Sequence, residues 1–316
     1  MDKILKVVDV IIVNFNSTDY AIQSISAIKR ISKDVPFKIV VFDNASADAP
    51  ERILDFHPGT NLILNSSNIG YSRAINLALE TCSSPYVLIL NPDTFISGGP
   101  IGCVIEYLEH NRSIGIIGPK ILEEDGSIQG SARRYPSLCT TMFGRKSLLT
   151  RLFPGNPITK REFFCFNDTG FHAYEVDWVS GACMFIRRKA IEEIKGFDED
   201  YFLYWEDADL CKRMNDAGWK TVYYTKAIAT HFVGKSSDTA PIQSIGHFHH
   251  SSYKYFMKHS NKLVKWVAPI VILGLSIRYL TIIVSTFVNR KKFLYIQHKI
   301  LNRIQFFIVK NNHRCP

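Results

Sequence analysis

The groups in this sequence whose type and spacing could do chemistry are carboxylates, amides and a histidine that follow apolar runs. Residues 86–90, Tyr-Val-Leu-Ile-Leu, form an apolar run without alternation, and Asn91-Pro92-Asp93 follows at once. Such a run fits a strand covered on both faces. In an open α/β sheet ligands lie beyond the carboxyl ends of the strands, where Asp93 could hold a divalent cation against a phosphate; a plain Asn-Pro-Asp turn is the alternative. Asn68-Ile69-Gly70-Tyr71-Ser72-Arg73 opens a helical pattern. Gly70 permits an unusual backbone angle or a close ligand approach, and Arg73 lies in the first turn, where amide hydrogens favour a phosphate. A loop glycine with a solvent-facing arginine is the competing reading. Trp205-Glu206-Asp207 begins another helix, whose buried stripe would use Leu210, Cys211 and Met214 and leave the acids near its positive end. His231 gains a role only if the fold brings it to Asp93.

These groups need a scaffold, and the surrounding pattern supplies one. Apolar strands are predicted at residues 7–14, 37–42, 62–65, 86–90 and 114–118, with helices at 18–31, from Asp48 toward Phe56, from the Asn68–Arg73 stretch to Leu79, and at 100–110. Asp48 is a candidate N-cap for the second of these helices. The alternation of strand and helix predicts a mostly parallel sheet. Residues 120–129 read as a hairpin around Asp125-Gly126. Residues 131–175, rich in Arg, Pro and Phe, read as a long lid or substrate-binding loop. A strand at 176–186, short helices around Gly196 and from Tyr204, and a last strand at 220–224 complete the pattern.

Length and charge narrow the classes. A chain of 316 residues can bury a full core. Its seven cysteines are odd in number, scattered and without a Cys-x-x-Cys pair, which argues against a disulfide scaffold or a zinc site and fits a reducing compartment. The net charge of +9 is uneven: no acidic residue lies beyond Asp238, whereas residues 239–316 hold 12 Lys and Arg. The basicity belongs to the tail, where it interleaves with aliphatic residues. That pattern favours an anionic membrane surface over nucleic acid.

Taken in order, Val13-Asn14-Phe15-Asn16, Asp43-Asn44-Ala45-Ser46, Asn68-Ile69-Gly70, Asn91-Pro92-Asp93, Trp178-Val179-Ser180-Gly181, Gly196-Phe197-Asp198, Trp205-Glu206-Asp207 and His231 resemble the inverting family 2 glycosyltransferases of the GT-A fold. Among these the sequence is most similar to bacterial rhamnosyltransferases that build O-antigen and related surface polysaccharide. The resemblance covers about residues 7–238. It implies a GT-A α/β domain, a mostly parallel mixed sheet flanked by helices, with a donor-binding half at about 7–118 and an acceptor or catalytic half at about 119–238. Residues 239–316 would be a helical membrane-associating region.

The resemblance also implies roles. Asn14, Asn16, Asp43, Asn44, Ser46, Asn68, Gly70, Arg73 and Asn91 would bind the nucleotide-diphosphate sugar, with Asp43 accepting the imide N–H of uracil or thymine. Asp93 and His231 would ligate Mg²⁺ or Mn²⁺. Asp207 would be the general base, with Glu206 orienting the acceptor and Trp178, Gly181 and Trp205 lining its site; each tryptophan reads equally well as a core residue. Asn91 stands where many members carry the first acid of the metal motif, which puts a strict metal requirement in question. The donor implied is dTDP-rhamnose, with a UDP-sugar open, and the acceptor is a lipid-linked or growing saccharide. A catalytically degenerate saccharide- or nucleotide-binding protein on the membrane is the non-enzymatic alternative.

In the tail, residues 267–288 are apolar apart from Arg278 and match the roughly 20 residues that span a bilayer. Basic clusters on both flanks would put one of them on the wrong side of a single span. A segment lying in or re-entering the cytoplasmic leaflet is therefore expected, followed by a basic amphipathic helix at 293–309. This places the protein on the cytoplasmic face of a bacterial inner membrane. A core helix or a dimer-forming helix, and with it a homodimer, is the other reading.

Overall fold

The computed structural model describes residues 7–32, 35–135, 172–232 and 241–260, together with 265, 266, 268, 269, 272–277, 279 and 280. The chain divides into two compact units, Met1–Ser260 and Asn261–Pro316. The first unit thus continues past residue 238, where the sequence pattern closes the catalytic domain.

The first unit opens with β1 (Val8–Asn14), α1 (Thr18–Ile31), β2 (Phe37–Asp43), α2 (Arg52–Phe56), β3 (Asn61–Leu64), α3 (Tyr71–Glu80) and β4 (Tyr86–Leu90). The parallel sheet order β3-β2-β1-β4 follows from these alternating units. Every residue of β1 and β4 is buried, as expected for strands covered by helices on both faces. One face packs Val10, Ile12 and Leu88 against Ile25 and Ile28 of α1, and the other packs Ile11, Val13 and Ile89 against Ala74, Ile75 and Ala78 of α3.

The second half continues the same sheet. It comprises β5 (Thr94–Gly98), α4 (Ile101–His110), β6 (Ile114–Leu122), β7 (Ala132–Arg133), β8 (Ala173–Val176), β9 (Trp178–Val179), β10 (Cys183–Arg187), α5 (Arg188–Glu193), α6 (Glu206–Asp216), β11 (Lys220–His231) and α7 (Pro241–His259). The sheet is nine-stranded among the described residues, in the order β3-β2-β1-β4-β10-β6-β11-β5, with β8 on β11. Strand β10 runs antiparallel to both β4 and β6. The expected parallel character therefore holds for the first half, and the whole is a mixed α/β sheet flanked by helices.

Several local expectations change. The strand read at 176–186 is three short strands, because Gly181 and Asp177 interrupt it and β9 leaves the main sheet to pair with β7. The last strand runs on to His231, where its extra residues pair with β5, a strand the pattern did not reveal. Asp48 does not cap α2; its Oδ2 accepts from Thr18 N at 2.8 Å and its Oδ1 from Thr18 Oγ1 at 2.8 Å, so it caps α1 across the β2 loop. The 120–129 hairpin is present: Glu123 N donates to Ser127 O at 2.8 Å, with Gly126 at φ +80. Residues 136–171 of the expected lid, and the amphipathic segment 293–309, lie outside the described residues, as does part of the apolar run 267–288. Among the described residues no helix is long and apolar enough to cross a membrane.

Candidate active site

The carboxyl ends of β1, β2 and β4 are adjacent, and the order of the strands reverses between β1 and β4, so a crevice opens there. Asn14 and Asp43 end neighbouring strands in register. Asn14 Nδ2 donates to Asp43 Oδ1 (2.9 Å) and Ser46 Oγ (3.1 Å), and Ser46 N donates to Asp43 Oδ2 (2.9 Å). Asn16 joins the group, its backbone N donating to Ser46 Oγ at 2.9 Å and its Oδ1 accepting from Ala47 N at 2.8 Å. Asn14 Oδ1 has no partner among the described residues although it is fully buried. An unsatisfied buried acceptor costs about 1–3 kcal/mol, which a donor group on a ligand would relieve.

The next loop is held by amides. Asn44 Nδ2 donates to Asn68 Oδ1 (2.9 Å) and Gly70 O (3.2 Å), while Asn44 Oδ1 accepts from Ile69 N (2.9 Å). Gly70 has φ +87, and a Cβ there would meet Phe202 at 2.8 Å. Its freedom serves a close approach of the 202–205 turn, whose Phe202 O accepts from Tyr71 N at 2.7 Å. Arg73 is 58% exposed and lies 3.8 Å from Glu199, pointing out from the first turn of α3.

The acidic side of the crevice brings together residues far apart in sequence. Pairing of Thr94 on β5 with His231 on β11 sets His231 Nε2 3.4 Å from Asp93 Oδ1. On the other side of the ring, His231 Nδ1 lies 3.3 Å from Gln129 Oε1. Asp93 is 4% exposed. Among the described residues no three His, Cys, Asp or Glu side chains are grouped to hold a metal ion. The Asp93 and His231 pair is nevertheless chemically suited to one: a hard oxygen and an imidazole nitrogen face each other and could bind a divalent cation that takes its other ligands from a diphosphate and water.

Asp207 reaches the same crevice through β10. Because β10 is antiparallel to β4, residues just before it cross the end of β4, and Asn91 N donates to Ala182 O at 3.0 Å. Gly181 N donates to Asp207 Oδ2 at 2.9 Å, and the absent side chain of Gly181 leaves room for Asp207, whose Cβ would be 3.3 Å from an added methyl. Gly181 thus holds the candidate base. Glu206 is 7% exposed and its Oε2 has no partner among the described residues. Burial and then the neighbouring Asp207 push the Glu206 carboxyl up to about 8. Burial also raises Asp207, against the pull of the Gly181 and Ala208 amides and of Arg133. Burial and the neighbouring Asp207 therefore favour the protonated form of Glu206.

Trp205 precedes this pair with φ +69, after Tyr204 at φ +67. Each non-glycine residue held there costs about 1–3 kcal/mol, strain that persists only where surrounding contacts enforce it. Here the contacts are rings: Trp205 packs on Phe248 (5.7 Å) and Tyr255 (5.4 Å) of α7. Helix α7 is further tied to α6 through fully buried Asp209, which meets Lys258 Nζ and His259 Nε2 at 2.7 Å each, and Arg213 Nε at 2.7 Å. Trp178, by contrast, takes the core role. It is 7% exposed, its Nε1 donates to Arg134 O at 2.9 Å, and Arg133 lies 4.8 Å over its ring, so that face is closed to a sugar.

Three residues of the site carry no signal in the motif pattern. Tyr71, first residue of α3, donates its hydroxyl to Asn91 Oδ1 at 3.0 Å. Burial and then the fields of Glu206, Asp207 and Asp93 drive its phenol well above the ordinary range. Arg133 bears on Asp207, and Gln129 touches His231. Tyr71 reads in sequence as a helix residue beside a glycine; only the 202–205 turn, which fixes the start of α3, reveals its direction.

The chain is similar to known proteins over most of its length. The family described as Glycosyltransferase like family 2 matches residues 6–245. The N-acetylglucosaminyl-diphospho-decaprenol L-rhamnosyltransferase of Mycobacterium tuberculosis is 30% identical over 255 residues, 76% of this chain and 80% of that protein. Rhamnosyltransferase WbbL of Escherichia coli is 26% identical over 231 residues, 71% of this chain and 82% of its own. Among solved structures, GalNAc-T7 with UDP, GalNAc and Mn²⁺ superposes with a TM-score of 0.55 at 16% identity, over 74% of this chain and 45% of that one.

Proposed function

The chain belongs to glycosyltransferase family 2, and from that premise we propose that it inverts configuration as it transfers a sugar, rhamnose from dTDP-rhamnose, to a lipid-linked saccharide acceptor in bacterial surface polysaccharide synthesis. The observation that carries this reading is the convergence of Asp93, His231, Asn91, Tyr71, Glu206 and Asp207 at the ends of β4 and β10. The name of the M. tuberculosis relative motivates both the rhamnosyl donor and an acceptor that ends in a diphospho-lipid.

The donor base and ribose would lie at Asn14, Asn16, Asp43, Asn44 and Ser46. Asp43 would accept the pyrimidine imide N–H, since each carboxylate oxygen retains acceptor capacity beyond its one protein contact. Asn68 and Gly70 would follow the nucleotide toward the diphosphate, and Arg73 would have to leave Glu199 to reach it. Asp93 and His231 would hold Mg²⁺ or Mn²⁺; the metal would act as a Lewis acid toward the departing diphosphate. Asn91, with its carbonyl oxygen taken by Tyr71, would offer its amide N–H₂ to a phosphate or ribose oxygen.

Asp207 would remove the proton of the acceptor hydroxyl as its oxygen bonds to the anomeric carbon and the bond to the diphosphate breaks on the opposite face. The Gly181 amide keeps Asp207 aimed and favours its anionic form. Glu206, protonated at neutral pH, would donate to an acceptor oxygen, and the Trp205 ring would border the acceptor. The basic tail would hold the enzyme on the cytoplasmic face of the inner membrane, beside its lipid-linked acceptor. A transfer assay with dTDP-rhamnose and a GlcNAc-diphospho-lipid tests the proposal. Asp207→Asn should lower kcat by about 10²–10⁴-fold while leaving dTDP binding unchanged. Transfer from a UDP-sugar would keep the site and replace the donor; nucleotide binding without transfer to any acceptor would favour a degenerate binding protein.

A further inference from the structure

Gln129 lies at the end of the 120–129 hairpin, outside every motif, yet its side chain links the half-buried Glu123 to the candidate metal pair. Its backbone is fixed by donation from Gln129 N to Ile121 O at 2.8 Å, next to the Leu122 and Ile128 bridge. Its Nε2 donates to Glu123 Oε1 at 3.1 Å, and its Oε1 lies 3.3 Å from His231 Nδ1. A carboxylate only accepts, so Glu123 decides which end of the amide it meets. The amide N–H₂ must face Glu123, and the carbonyl oxygen must then face His231. Facing a carbonyl oxygen, His231 Nδ1 has to carry the hydrogen.

The consequence appears at the opposite side of the ring. With Nδ1–H satisfied, neutral His231 presents a lone pair at Nε2, the ring nitrogen that lies 3.4 Å from Asp93 Oδ1. Two acceptors at this distance repel unless a cation binds both. The hairpin therefore leaves two electron-pair donors side by side, spaced as neighbouring ligands of one divalent ion are.

We infer that Gln129, oriented by Glu123, is a positioning residue that locks His231 in the Nδ1–H tautomer and so keeps Nε2 available to the metal. This rests on the metal reading of Asp93 and His231. Outer partners of ligating histidines act in this way, and their loss typically weakens metal binding by about 10–100-fold.

The test has two readouts on the full chain, neither of them turnover. Imidazole ¹⁵N NMR at pH 8, with His231 assigned by its loss in His231→Asn, should show the Nδ1–H tautomer in the natural sequence and a mixed or Nε2–H population in Gln129→Leu. Mn²⁺ binding followed by electron paramagnetic resonance should weaken about 10–100-fold in Gln129→Leu. The exchange variant Glu123→Gln/Gln129→Glu, which reverses donor and acceptor at constant charge, should restore both. An Nε2–H tautomer or an imidazolium in the natural sequence, or Mn²⁺ binding indifferent to Gln129→Leu, would overturn the inference. Mn²⁺ binding that survives Asp93→Ala and His231→Asn would instead overturn the metal reading beneath it.

Discussion

At the scale of single residues the candidate site is a set of acids and one amide, each held by a nearby donor. Asp207 is aimed by Gly181 N, Asp43 by Asn14 and Ser46, and Asn91 by the Tyr71 hydroxyl. Glu206 is the member whose state follows pH most directly. Its carboxyl is pushed up to about 8 in the fold, first by desolvation and then by Asp207, whereas an unfolded glutamate titrates near about 4.3. Its contribution to stability is complete below the unfolded value, because both states then hold the proton. As pH rises the unfolded chain releases that proton while the fold retains it, so stability falls until Glu206 itself ionises near 8. Glu206→Gln removes this loss. Its Tm should equal that of the natural sequence at pH 4.5 and exceed it increasingly up to pH 8; a difference independent of pH between those values would refute the buried, protonated state. Asp93, Asp207 and His231 are all legible in the sequence because each sits in a motif of fixed order. Tyr71, Arg133 and Gln129 are not, since their roles depend on which strand or turn faces them.

At the scale of elements, the geometry of the candidate site depends on three crossings. Strand β10 runs back along β4 and delivers Gly181; β11 runs past β5 and delivers His231; the 202–205 turn packs on the start of α3 and delivers Glu206 and Asp207. Two of these involve antiparallel pairs that join segments almost 100 residues or more apart, so a window of local hydrophobic period cannot display them. The parallel half was legible for the opposite reason: β1, β2 and β4 announce themselves as apolar runs, interrupted only by Asp9 and Lys38, each ending in a polar loop. The glycine at the third crossing offers a test. Gly70→Ala imposes a side chain on φ +87 and drives a methyl into Phe202. The backbone alone should cost about 1–3 kcal/mol, and the displaced turn should lower kcat more than it weakens nucleotide binding. A variant with unchanged Tm and kcat would show that the turn does not depend on this contact.

At the scale of the whole molecule, charge and exposed apolar area separate the two units. The first carries every acid of the sequence up to Asp238, and the second, Asn261–Pro316, carries none. Within the second, Trp266 is 84% exposed, Leu273 61% and Leu280 59%, an apolar surface beside basic residues that suits the interface of an anionic bilayer. In flotation with phosphatidylglycerol vesicles the full chain should rise with the lipid, and the Trp266→Ser/Leu273→Ser variant should bind more weakly while keeping its affinity for nucleotide. Equal flotation of the variant would remove that surface from the membrane reading. The central claim concerns the first unit: Asp93 and His231 form the metal side of a nucleotide-sugar site. Calorimetry of dTDP binding with and without Mn²⁺, on the natural sequence and on Asp93→Ala, tests it most directly. Binding that requires Mn²⁺ and is lost in Asp93→Ala is the predicted result. Absence of binding to dTDP, UDP and GDP alike, or dTDP binding indifferent to both Mn²⁺ and the substitution, would contradict it.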